Sequence, residues 1–404
     1  MVQSGTMSPA NVFVATYPPR RCGIATFTRD LADATGSHEI AALHPFDGPA
    51  IYPAEVQYRI RRDVRADYLE VAQSINQSGV GVVSIQHEYG IWGGSDGGYV
   101  LDFVAALAKP IVTTLHTVPF SPSEGQRRVL LGLINASAAS VVMSRSAADL
   151  LCRLYDVEPE KLSIVPHGVP DLQLTDPATV KPRIRMEPGP MILSFGLLGP
   201  GKGYESVIEA MPVVIEADPT AYYVILGATH PELLRRDGES YRERLKGLAE
   251  DLGVADRVVF IDRFVTRAEL ATWLTAADIF VTPYPNKDQI VSGTLAYAMS
   301  AGRACVSTRY AYAVEMLEAG RGRLVGTNSP AALSDSLTEL IQDPALRRQL
   351  GRRAYEYSRT MIWSEVGARY REIFDRVVLA GRGAFVGSGV GLAVGAAQAE
   401  AVRA

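Results

Sequence analysis

The chain has 404 residues, too many for one hydrophobic core, and two domains are expected. Apolar residues at 47% and charged residues at 21% exclude a disordered polar chain, and 40 Lys and Arg against 44 Asp and Glu exclude a global positive field for holding nucleic acid. Three cysteines, Cys22, Cys152 and Cys305, are an odd number without metal-ligand spacing, so neither a disulfide framework nor a metal site is expected.

The opening MVQSGTMSPA has neither the basic segment nor the apolar run of a secretory signal, and no stretch reaches the ~18 apolar residues of a spanning helix, so a cytoplasmic protein is expected. From Asn11, short apolar runs alternate with helical patterns: NVFVAT, ATFTRDLADA, HEIAAL, GVVSIQ, PIVTTL and SVVMS. Unbroken apolar runs separated by helices predict buried strands of a parallel sheet. Residues 171–190 lapse into a Pro-rich polar stretch without period, which predicts a linker between domains spanning 1–180 and 188–375. The second domain repeats the rhythm in MILSFG, YESVIEAMPVVIEA, AYYVILG, RVVFID, DIFVTP and RACVST, again a doubly wound α/β pattern. Helical periodicity runs from Pro330 to about residue 380. The Gly/Ala-biased tail, 380–404, reads as a flexible terminus or a weak interfacial anchor.

In open parallel sheets ligands collect beyond the carboxyl ends of the strands, so the residues following each run carry the functional reading. The first run enters YPPRRCGIATFT, where Gly23 before a helix either exposes backbone N–H groups to a ligand or simply makes the turn. GVVSIQ enters HEYGIWGGSDGG, whose His87, Glu88, Tyr89 and Trp92 are suited to bonding and stacking on a carbohydrate acceptor. PIVTTL ends at His116. MILSFG opens into LLGPGKG, setting Gly196, Gly201 and Lys202 between strand and helix, a cation beside exposed backbone donors as a phosphate requires. DIFVTP leads through Tyr284 and Gln289 to Ser292, Gly293 and Thr294, which cap a small-residue helix containing Tyr297. With Lys202, that helix start suggests a diphosphate site.

With these residues assembled, the chain resembles the retaining glycosyltransferases of the GT-B fold, in particular family four and its mannosyltransferase-like branch. The matching landmarks are TLHT with His116, IVPHGVPD, GLLGPGKG with Lys202, AADIFVTP, the AMSAG turn and the late Trp363. The resemblance implies two Rossmann-like domains facing across a cleft, a nucleotide-sugar donor on the C-terminal domain, an acceptor on the N-terminal domain and a last helix that crosses back. It also implies that Lys202 and the helix after Ser292 hold the donor phosphates, that His116 lies beside the transferred sugar, and that Arg263 and Phe264 touch the base. The family carries two glutamates where this chain has Gln289 and Tyr297, and an arginine where it has Leu197. An amide still bonds sugar hydroxyls, whereas a tyrosine lacks the carboxylate's charge-assisted strength, ~1.5–3 kcal/mol.

The expected reaction moves a hexose, mannose first with GDP as carrier, to a saccharide or glycolipid acceptor, with retention and without a metal or other cofactor. Lys202 would neutralise charge on the leaving phosphate. The leaving phosphate, Glu88 or His116 would take the acceptor's proton. A phosphorylase in the same cleft and a catalytically silent binding protein are the rival readings. Membrane contact through a surface patch or the tail stays open.

Overall fold

The computed structural model describes residues 11–44 and 50–397, with side chains described through residue 380. The opening decapeptide lies outside the described residues, as do 398–404. Seven strands form one sheet: β1 (Asn11–Ala15), β2 (His38–His44), β3 (Val56–Arg61), β4 (Val82–His87), β5 (Ile111–Leu115), β6 (Ala139–Val142) and β7 (Leu162–Ile164), in the order β3-β2-β1-β4-β5-β6-β7. A second sheet holds β8 (Met191–Phe195), β9 (Tyr222–Leu226), β10 (Val258–Ile261), β11 (Ile279–Thr282), β12 (Ala304–Thr308) and β13 (Gly322–Val325), in the order β10-β9-β8-β11-β12-β13. Every neighbouring pair is parallel, as the apolar runs predict. Strand order reverses between β1 and β4 in one sheet and between β8 and β11 in the other. The carboxyl ends at such reversals form a ligand-binding crevice.

Helices cover both sheets by burying one stripe each. In Tyr204–Ala217, the buried residues Tyr204, Val207, Ile208, Met211 and Val214 recur at the three- and four-residue steps of a helical face. They pack on Ile192, Tyr223 and Ile225 of the sheet.

The chain divides into two compact units. One comprises the residues up to Val142, Ala148–Val165 and the chain from Gly367 on; the other comprises Met143–Ala147 and Pro166–Val366. The boundary thus falls at Val165, earlier than residue 180, and the Pro-rich stretch 171–190 belongs to the second unit. Its Lys181, 3% exposed, shows why: the ammonium donates to Asp278 at 2.5 Å and to the Gly189 carbonyl at 2.7 Å. The same carboxylate accepts the Met191 N–H at 2.9 Å, so the expected linker is pinned to the start of β8. A buried ammonium is tolerable only with such partners.

The helix Trp363–Ala397 starts in the second unit and joins the first from Gly367. There the Tyr370 hydroxyl meets Thr114 Oγ1 at 2.9 Å, and Phe374 sits edge-on to Phe13 at 6.0 Å. The stretch read as a tail therefore continues this helix to Ala397; its side chains lie outside the described residues. Among the described residues no helix is long and apolar enough to cross a membrane.

Candidate active site

In the second unit the residues after β8 and β11 converge at the strand-order reversal. The turn Pro200–Lys202 ends at Gly203, whose φ of +68° and closeness to the loop after β11 both exclude a side chain: a Cβ there would lie 2.2 Å from the Pro283 carbonyl oxygen. That contact carries Lys202 over the β11 loop, with its ammonium 4.5 Å from the centroid of the Tyr284 ring. The Tyr284 hydroxyl is 2.8 Å from Thr294 Oγ1, which is 3.1 Å from Ser292 Oγ. Tyr284 itself stacks on Tyr310, centroids 5.4 Å apart.

Ser292 caps the helix Gly293–Ser300 by accepting from the Leu295 N–H at 3.3 Å, which leaves the N–H groups of Gly293 and Thr294 at the open end of the helix. Gly196, after β8, faces the same place, since a Cβ on it would lie 3.8 Å from Thr294 Cγ2. Gly201 is exposed, with open space around it. Lys202 has no carboxylate partner among the described residues. An unpaired ammonium, two hydroxyls and free helix-start N–H groups around a side-chain-free strand end have the chemistry to receive an anion.

The positions where the resemblance places the family's glutamates hold Gln289 and Tyr297. Gln289 donates its amide nitrogen to the Val291 carbonyl at 2.8 Å, closing its own loop. Tyr297 is a core residue, 8% exposed, with its ring edge-on to His167 at 6.0 Å. His167, from the IVPHGVPD landmark, is a neighbour that the sequence reading left out of the site. Its Nε2 would lie 2.7 Å from a Cβ at Gly293, and its Nδ1 is 2.8 Å from the Gly168 carbonyl. Burial lowers its pKa to about 4.

Beyond β10, Arg263 is held by Glu269, whose carboxyl the Arg263 guanidinium and the Thr266 N–H bring down to about 2. Arg263, expected to touch the base, is thus engaged in an ion pair. Phe264 is exposed and free to stack.

In the first unit, the ends of β4 and β5 meet beside the other reversal. The His116 N–H donates to the His87 carbonyl at 2.9 Å, its Nε2 lies 3.0 Å from Gln86 Oε1, and Phe27 is edge-on to its ring at 4.7 Å. Glu88 accepts from the Thr117 hydroxyl, and burial raises its carboxyl above the ordinary range. Tyr89 donates to the Gln126 carbonyl at 3.1 Å. His87 is the last residue of β4, wholly buried, with neither ring nitrogen hydrogen-bonded among the described residues; burial lowers its pKa to about 3. Gly23 opens the helix Gly23–Thr35 at the surface, and a Cβ on it would meet nothing.

Trp92 corrects the acceptor-platform expectation. It is 3% exposed and packs between Tyr68 and Phe103 in the core, leaving no face for a sugar. The glycines around it also serve packing: at Gly93 a Cβ would sit 1.9 Å from the Arg62 carbonyl oxygen. Among the described residues no group of three His, Cys, Asp or Glu side chains could hold a metal ion.

This arrangement agrees with comparisons to known proteins. Residues 23–171 match the model of Glycosyltransferase Family 4, and residues 179–357 match that of Glycosyl transferases group 1. The chain is 27% identical over 290 residues to the D-inositol 3-phosphate glycosyltransferase of Corynebacterium glutamicum, covering 67% of each protein. It is 29% identical over 292 residues to that of Xylanimonas cellulosilytica, covering 66% of each. Among solved structures, Anabaena HepE with UDP and glucose aligns over 91% of this chain and 100% of its own at TM-score 0.73 and 13% identity. Sucrose-phosphate synthase from Thermosynechococcus elongatus covers 92% and 100% at TM-score 0.73 and 17% identity. With both halves matched and the fold shared, the chain belongs to the group 1, family 4-like glycosyltransferases of the GT-B fold.

Proposed function

We propose that the protein transfers a hexose from a nucleotide diphosphate sugar to a polar acceptor, with retention and without a metal ion. The observation that carries this reading is the convergence of Lys202, Tyr284, Ser292 and Thr294 around the bare strand end at Gly196. Lys202 and the free N–H groups of the Gly293–Ser300 helix would bind the diphosphate and stabilise charge on the leaving phosphate, where such preorganised donors contribute about 3–4 kcal/mol each. Positive charge supplied by side chain and backbone makes a divalent cation unnecessary.

The acceptor would bind at the first unit, near Glu88 and His116. Glu88 with its raised pKa, His116 and the leaving phosphate are the three candidate proton acceptors. GDP-mannose is the first donor to try, by resemblance to the mannosyltransferase branch. The relatives' names make inositol phosphate the first acceptor, ahead of saccharides and glycolipids. A glycolipid would be met by a cytoplasmic enzyme touching the membrane peripherally.

The test is a donor screen with the purified protein: GDP-, UDP- and ADP-sugars, with and without inositol phosphate, in excess chelator, followed by release of nucleoside diphosphate and by the anomeric configuration of the product. Turnover of at least one donor in chelator, with retained configuration, is expected. Phosphate-dependent cleavage of a glycoside, with no nucleotide-sugar turnover, would replace this reading by a phosphorylase.

A further inference from the structure

The loop from Pro283 to Val291 leads from β11 to the helix Gly293–Ser300 and carries Tyr284, yet it contains neither helix nor strand. Such a loop keeps one shape only if its backbone groups are bonded from outside. The bonds come from the segment that follows β12. Thr308 Oγ1 donates to the Tyr284 carbonyl at 2.6 Å, the Ala311 N–H to the Lys287 carbonyl at 3.0 Å, and the Tyr312 N–H to the Gln289 carbonyl at 3.1 Å. Ala311 and Tyr312 open the helix Ala311–Leu317, so the free donors of that helix start are spent on the loop.

Tyr310 lies within this seam and is wholly buried. Its hydroxyl donates to Thr282 Oγ1 at 3.2 Å, Thr282 Oγ1 donates to Ser307 Oγ at 2.8 Å, and Ser307 Oγ donates to the Thr308 carbonyl at 2.9 Å. A buried phenol requires such a partner, and this chain of hydroxyls ties the ring to the last residues of β11 and β12. The ring lies within 25° of parallel to Tyr284, centroids 5.4 Å apart, as an offset stack. Tyr284 is therefore held at three points: its carbonyl by Thr308, its ring by Tyr310 and its hydroxyl by Thr294. Lys202 depends on that arrangement, since it has no carboxylate partner among the described residues and its ammonium lies 4.5 Å from the Tyr284 ring centroid. A lysine stem has many rotamers, and a fixed ring face selects among them.

We propose that Tyr310 is a positioning residue of the diphosphate site: its buried ring sets Tyr284, and through Tyr284 the Lys202 ammonium, where that ammonium meets a phosphate. The inference rests on the proposed function, which puts the donor's diphosphate at Lys202. Tyr310 is buried and touches no substrate. What the position requires is a flat ring, so phenylalanine serves there and leucine, equally apolar, does not.

Calorimetric titration of the full chain with GDP, UDP and ADP in excess chelator tests it, in the wild type, Tyr310→Phe, Tyr310→Leu, Lys202→Ala and the double variant of Tyr310→Leu with Lys202→Ala. Affinity for the preferred nucleoside diphosphate should fall about fivefold in Tyr310→Leu and stay within about twofold of wild type in Tyr310→Phe. In the Lys202→Ala background, Tyr310→Leu should cost less than about twofold more, because the group it positions is gone. Tyr310→Met, which fills the core without a flat face, carries the same expectation and replaces the leucine variant if that one does not fold. Three results each overturn the proposal while leaving the donor reading intact: wild-type affinity in Tyr310→Leu, a phenylalanine variant as weak as the leucine one, or the same loss with and without Lys202. A wild type that binds no nucleoside diphosphate overturns both.

Discussion

Tyr284 offers the sharpest separation of the forces that organise the proposed diphosphate site. Its ring face lies 4.5 Å from the Lys202 ammonium, and its hydroxyl is 2.8 Å from Thr294 Oγ1. A cation over an aromatic face is worth about 0.5–2 kcal/mol depending on desolvation, and a neutral hydrogen bond about 0.5–1.5 kcal/mol net. Tyr284→Phe keeps the first and removes the second, so kcat/KM should fall by about three- to tenfold. Tyr284→Leu removes both and should lower it by about 5- to 300-fold at ~1.4 kcal/mol per factor of ten. Steady-state kinetics with the best donor, beside thermal melts to register lost stacking on Tyr310, distinguish the two effects. Equal activities for the Phe and Leu variants would show that the ring does nothing for Lys202, and wild-type activity in Tyr284→Leu would remove Tyr284 from the site.

His87 predicts a pH dependence. Its buried imidazole is held neutral, with a pKa of about 3 against ~6.5 when unfolded, so the unfolded chain binds the extra proton and stability declines as pH falls below ~6.5. The slope from this group reaches ~1.4 kcal/mol per pH unit. Urea unfolding between pH 6.5 and 5 should flatten by about that amount in His87→Gln; an unchanged slope contradicts the buried neutral ring. Asp278→Asn leaves Lys181 buried without its counter-charge, which should cost about 3–5 kcal/mol, while the apolar double replacement Lys181→Met with Asp278→Leu should cost much less. Denaturant melts that rank the single and double variants the other way would refute that account.

What could be read in the sequence follows a physical line. Every interior strand of both sheets announces itself as an unbroken apolar run, because both of its faces are covered. Of the four edge strands, β10 does so too, in RVVFID, whereas β3, β7 and β13 do not. β3 sets exposed Arg59 and Arg61 on either side of buried Ile60, β7 is three residues long, and β13 opens on Gly322 and Arg323. Edge strands are commonly short and charged in this way. At the site, Lys202 and Ser292 to Thr294 were legible because each lies between a strand and a helix. Trp92 was misleading, since a Gly-rich loop with aromatic residues reads as a binding loop whether its rings face outward or inward. His167 stood within a noted landmark, but only the fold brings its ring against Gly293. Tyr310 meets Tyr284 only because β11 and β12 pair, which no local pattern encodes.

The proposed transfer depends on a diphosphate being held by Lys202 and the Ser292–Thr294 turn. The most direct measurement is calorimetric binding of the donor's nucleoside diphosphate, in chelator, to wild type and Lys202→Ala. Binding by the wild type, weakened at least tenfold in Lys202→Ala with an unchanged melting temperature, is the predicted result. Equal affinity in the two proteins would contradict it.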